Sequence, residues 1–221
     1  MLKPCWKIYR SFLVLVFVLL FGYSKGQTRR DSIGSGQFSF GMRNTLSAFT
    51  DAQSLGLGSG AEVRIRLAKQ INTEWFGDYI STNVQNLGYR RDAHIGWSVL
   101  FYLNKDPLLA GKLSAYVLAG HCFDYTQVYS DWPGVPVGER WSSAVQGGLG
   151  IHYNLTRRFD VSLLSQYMVH FGTNIITSID YDEASKQNYL SITKGSGLSQ
   201  EGHLLTTLSV NYMLGYLWGK K

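Results

Sequence analysis

Covalent cross-links, proline and long apolar runs are all scarce in this 221-residue chain. It has two cysteines, Cys5 and Cys122, and four prolines. Its one extended apolar run, "SFLVLVFVLLFGY", falls short of the about 20 residues a helix needs to span a bilayer. That run follows Lys3, Lys7 and Arg10 and precedes Ser24 and Gly26, small residues suited to the −3 and −1 positions of a cleavage site. The pattern is that of a secretory signal peptide over residues 1–26, leaving 27–221 as one mature domain. No cysteine adjoins the cleavage point, so nothing supports a lipoprotein. Cys5 departs with the leader and Cys122 stays alone, which excludes an intramolecular disulfide. The formal charge of +6 shrinks as well, because the leader takes Lys3, Lys7, Arg10 and Lys25 and no acid. Seventeen bases then face fifteen acids, a net +2, and a nucleic-acid partner loses its main electrostatic argument. No long helical pattern follows the leader.

What is abundant is glycine (24), tyrosine (14) and period-2 alternation. Alternating runs occupy 37–49, 61–68, 71–81, 94–104, 113–125, 143–155, 159–171 and 203–217, eight expected strands. Their connections alternate in length. Those at 50–60, 82–93, 126–142 and 172–202 are long; "KQ", "KDPLLAGK" and "TRR" are short or moderate. Membrane barrels show this asymmetry, with short periplasmic turns and long extracellular loops. One face of each strand is apolar, as in Val145, Leu149, Ile151 and Tyr153 or in Leu204, Leu208, Val210 and Leu214. The opposite face carries Gln146, His152 and Asn154, or Thr207, Ser209 and Asn211.

Threading the strands up and down places Phe38, Phe40, Phe101, Tyr153, Phe159 and Tyr216 on the apolar face near the short turns. Tyr79, Trp97, Phe123, Tyr125 and Phe171 fall near the long connections. Two aromatic belts around an aliphatic band are a feature of membrane barrels. The leader, the eight alternating runs, the connection order and the closing "LLTTLSVNYMLGYLW" together resemble the small outer-membrane β-barrel superfamily of Gram-negative bacteria, which includes OmpA-like barrels. Trp218 departs from that family's terminal aromatic in being followed by "GKK". The resemblance implies an all-β, eight-stranded antiparallel up-and-down transmembrane barrel in the bacterial outer membrane. Its implied partners are outer-membrane lipid, the periplasmic chaperones and barrel-assembly machinery, and a ligand for the extracellular loops; no cofactor is implied.

Inverting the usual burial puts Arg43, Glu62, Arg64, Arg66, Glu74 and Asp78 on the lumen face of three successive strands. An eight-stranded lumen is only wide enough for side chains to fill, and buried charges must be paired. Three arginines facing three acids therefore predict a bonded network, acting as a structural plug or as a gate. Ser162, His152, His170 and Asp160 supply the residue types of a nucleophile, base and orienter, but the threading separates the two histidines along the barrel. His121, Cys122 and Asp124 suggest a metal, yet neighbours on a strand point to opposite faces, so neither catalytic nor metal residues are assigned. The acids of "SIDYDE" at 178–183 match no calcium-loop spacing and are expected in a solvated loop; "NLT" at 154–156 is read as an accidental glycosylation match. The expected role is structural or surface-interactive. A narrow channel or lateral transport route is the first alternative, and a lipid A-modifying hydrolase or acyltransferase the second.

Overall fold

The computed structural model describes residues 35–49, 55–105, 107 and 109–218. The expected signal peptide, its cleavage site and the terminal "GKK" lie outside the described residues. Among the described residues eight strands are formed: β1 (Gln37–Phe49), β2 (Leu55–Ala68), β3 (Ile71–Asn83), β4 (Gly88–Tyr102), β5 (Leu113–Ser130), β6 (Gly138–Asn154), β7 (Phe159–Asp182) and β8 (Gln187–Tyr216). Each pairs antiparallel with the next, and β8 pairs with β1 to close the barrel. Closure satisfies every strand's edge, which an open sheet of alternating apolar strands could not do.

Alternation decides which side chain goes where. Met42, Leu57, Ile95, Leu149, Leu208 and Leu214 are exposed on the outer wall, while Arg43, Glu62, His94, Gln166 and Asn211 are buried inside. Phe101, Tyr153 and Tyr216 stand exposed toward the short turns, and Tyr79, Phe123 and Trp141 toward the other end. Trp97 lies nearer mid-strand than the threading placed it, because β4 begins at Gly88 rather than His94; its ring is 6.4 Å from that of Trp75.

The long connections are where expectation and structure part. Residues 82–93 contain a tight turn of only four residues between β3 and β4. Asn83 Oδ1 accepts from the Asn86 amide at 2.7 Å there, and Gln85 and Asn86 both take positive φ. The stretch 172–202 is no solvated loop; it continues β7 and β8 as a ribbon paired as far as Asp182–Gln187. The β6–β7 ladder runs up to Ser143–Phe171 and the β1–β8 ladder to Phe49–His203, so the ribbon rises past its neighbours. Segments such as "GYRRDA" read as loops because their charges obscure the alternation, yet Asp92 points into the lumen and Arg91 out of it.

The ribbon also packs. Val128, Leu190 and Ile192 form a buried cluster at the mouth, with Val84, Leu87, Val135 and Ile175 against it. Trp132 stacks on Tyr189 at 5.4 Å. At the tip, Asp182 Oδ2 accepts from the Ser185 amide (2.9 Å) and hydroxyl (2.6 Å), and Lys186 takes φ 55°.

Candidate functional site: a filled polar lumen

The lower charge cluster is built on β1, β2 and β3. Arg43 Nη1 lies 3.1 Å from Glu74 Oε1 and 3.4 Å from Glu62 Oε2. Its Nε lies 3.1 Å from Asp78 Oδ1, and the guanidinium covers the Phe76 ring at 4.4 Å. Arg64 reaches Glu62 (2.5 Å), Glu74 (2.8 Å) and Asp160 (2.9 Å). Ser162 Oγ and Ser209 Oγ accept from Arg64 Nη2 at 2.9 and 3.2 Å, and Asn211 Nδ2 donates to Glu62 at 2.8 Å. Gly60 makes this approach possible, since a Cβ there would lie 2.2 Å from Asp78 Oδ1.

Five of the six sequence-predicted residues, Arg43, Glu62, Arg64, Glu74 and Asp78, thus share one lattice. Arg66 stands beside it. Its Nε donates to Asn72 Oδ1 at 3.1 Å, its Nη1 to the Lys69 carbonyl at 3.4 Å, and its guanidinium lies over Tyr102. Asp160, considered in the sequence only as a catalytic acid, proves to be a lattice member. Burial of these ions is tolerable because each arginine faces several oxygens; an isolated ion there would cost several kcal/mol (order of magnitude).

Apolar layers accompany the ions, so the lumen is mixed rather than wholly polar. Phe76, Ile80, Cys122, Ala144, Met168 and Leu205 form one cluster, and Leu100, Tyr102, Tyr116, Leu118 and Leu164 another. Gly150 leaves room for the Tyr116 ring, since a Cβ there would sit 2.2 Å from its Cζ.

A second polar group, largely missed in the sequence, occupies the lumen toward the ribbon. Asp124 pairs with His94 Nε2 and His170 Nδ1, each at 3.2 Å. His170 Nε2 meets His203 Nε2 at 2.9 Å, and His203 Nδ1 meets Ser47 Oγ at 2.9 Å. Above these, Asp92 pairs with Arg90 at 3.0 Å, and Glu201 bonds both Arg90 and Arg140. Asp92, Arg140 and Glu201 lay within expected loops; continuing the period-2 count through them would have found the inward set.

The expected separation of His152 from His170 holds. His152 Nδ1 bonds the Tyr102 hydroxyl at 2.7 Å, away from His170. Ser142 and Asp124 both approach Nδ1 of His170 (3.3 and 3.2 Å), whereas a nucleophilic triad needs the serine and the acid on different ring nitrogens. His121 points outward to Ser143 Oγ (2.7 Å) while Cys122 is buried inside, so the two do not share a site.

No family model matches the chain, and no curated protein matches it in sequence. Solved structures do match. Neisserial surface protein A aligns with a TM-score of 0.51 at 13% identity, over 80% of this chain and 97% of that one. This is the fold of a small outer-membrane barrel. A major outer membrane protein of Thermus thermophilus also aligns at 0.51, with 10% identity, over 80% of this chain and 98% of that one. In an outer-membrane barrel the exposed aliphatic wall has a physical reason: hydrocarbon, not water, meets it.

Proposed function

We propose that this protein is an integral outer-membrane barrel of structural or surface-interaction role, exported by its signal peptide, with the β7–β8 ribbon outside the cell. One observation carries the reading. Arg43, Arg64, Glu62 and Glu74 are bonded to one another along β1–β3 and at most 4% exposed, and Arg64 reaches across the lumen to Asp160 of β7, which supports reading the interior as a filled core rather than a passage. The cavity at the short-turn end measures about 40 Å³, room for a few waters, and Arg64 and Arg66 are among its walls. A wide pore is not compatible with this filling, and the feature left for contact is the ribbon, which exposes Ile176, Ile179 and Tyr181.

Two measurements test it. In planar bilayers the wild-type protein should give no conductance steps; regular steps that change in Arg64→Ala would favour the channel alternative. Trypsin added to intact cells should cut after Lys186 at the exposed ribbon tip. Cleavage only after cell lysis would overturn the proposed orientation.

A further inference from the structure

We propose that the upper lumen is a transition-metal site, with His94, His170 and His203 as ligands, Asp124 orienting His94 and His170, and Ser47 orienting His203. Candidate ligand nitrogens of the three histidines all lie within 4.8 Å of one another, and all three side chains are buried. They arrive from β4, β7 and β8, far apart in sequence, and the closed barrel brings them together. Imidazole nitrogen suits Zn²⁺, Cu²⁺ or Ni²⁺, whereas Mg²⁺ and Ca²⁺ require oxygen.

Hydrogen bonding around the rings is compatible with a bound cation. A ligating histidine offers one nitrogen to the metal while the other donates to a carboxylate or hydroxyl, which fixes the tautomer. His170 Nδ1 faces Asp124 and His203 Nδ1 faces Ser47 Oγ. With protons on those Nδ1 atoms, both Nε2 atoms carry lone pairs, and these confront each other at 2.9 Å. In that tautomer a cation between them would satisfy both lone pairs. In the metal-free state His203 carries its proton on Nε2 and donates it to His170 Nε2, while the Ser47 hydroxyl turns to donate to His203 Nδ1, so this pair is satisfied without an ion as well. Bound to one tetrahedral ion at about 2.0–2.1 Å each, the two nitrogens would stand roughly 3.3 Å apart, a separation of the rings by a few tenths of an ångström. His94 completes the set: its Nδ1 is buried without a hydrogen-bond partner among the described residues. Its ring centroid is 5.8 Å from that of His170 and 5.6 Å from that of His203.

The test uses the full barrel folded in detergent, with Co²⁺ or Zn²⁺ supplied either during folding or afterwards. One equivalent should bind, Co²⁺ should show ligand-field absorption, and Zn²⁺ should displace it. His94→Ala, His170→Ala and His203→Ala should each lose stoichiometric binding, whereas His121→Ala and His152→Ala should keep it. Asp124→Asn should weaken affinity by about 10–100-fold, as loss of an orienting partner does. X-ray absorption on the Zn²⁺-loaded wild type counts imidazole nitrogens directly and does not depend on the variants folding. Three nitrogens support the site. Fewer than three, no uptake by either loading route, or uptake that persists in the triple variant would overturn it.

Discussion

The wall of the barrel and its mouth obey opposite burial rules within one chain. On the wall, Leu57 and Ile95 are each 70% exposed while Arg43 is 1% exposed. At the mouth, Leu190 is 1% exposed and the charged Asp180, Glu183 and Lys186 are outside. The same pleat, with side chains on alternate faces, serves both. What differs is the surrounding solvent: where water surrounds the strands the apolar face turns inward, and where hydrocarbon does, the polar face fills the interior. In the proposed membrane setting the ribbon is a water-facing unit raised on a lipid-facing one; β8 passes from one rule to the other, with Leu190 and Ile192 turned inward, while β7 leaves Ile176, Ile179 and Tyr181 exposed.

That contrast breaks most easily at the lattice. Arg64→Ala leaves Asp160 without its cation and Glu62 and Glu74 with Arg43 alone, and should destabilise the barrel by about 3–5 kcal/mol, the cost of an uncompensated buried charge. The urea midpoint of the barrel folded in lipid vesicles reads this directly. Leu208→Arg places a charge on the wall and should cost about 2–4 kcal/mol in lipid; a neutral result would mean that water meets this face. Ile192→Val trims the mouth cluster and should cost about 0.5–1.5 kcal/mol. Its effect should appear as faster hydrogen exchange in ribbon amides, with the midpoint of the wall unmoved.

The smallest effect concerns the tip. The Ser185 hydroxyl, then its amide, bond Asp182 and hold its carboxyl below the ordinary carboxylate range. A depressed folded-state pKa contributes order that is present above the unfolded value and lost as pH falls through the folded one. The Ser185 amide signal should therefore titrate only on the acid side of that range, and should stay flat in Asp182→Asn. A change near neutral pH would show that Asp182 does not cap this turn.

Much of the wall was legible beforehand because a strand's facing is local. Knowing that Arg64 points inward makes Val63 and Ile65 point outward, and the short turn at Lys69–Gln70 links β2 to β3. The lattice members Arg43, Glu62, Arg64, Glu74 and Asp78 were legible for the same reason. Asp160 was not, since its pairing with Arg64 spans 96 residues and depends on how far the closing strands are staggered. Arg140 and Glu201 were hidden differently: charge-rich strand reads as loop when the lumen face itself is charged.

The sequence by itself determined the strands of the wall, which residues share a face, and that the charged face turns inward, because alternation is a property of neighbouring residues. Only the tertiary structure decided which charges meet, that β7 and β8 rise as a packed ribbon, and that His94, His170 and His203 converge. Those outcomes depend on closure and stagger, which bring residues more than a hundred positions apart within bonding distance, as in Ser47 and His203. No local pattern encodes that distance.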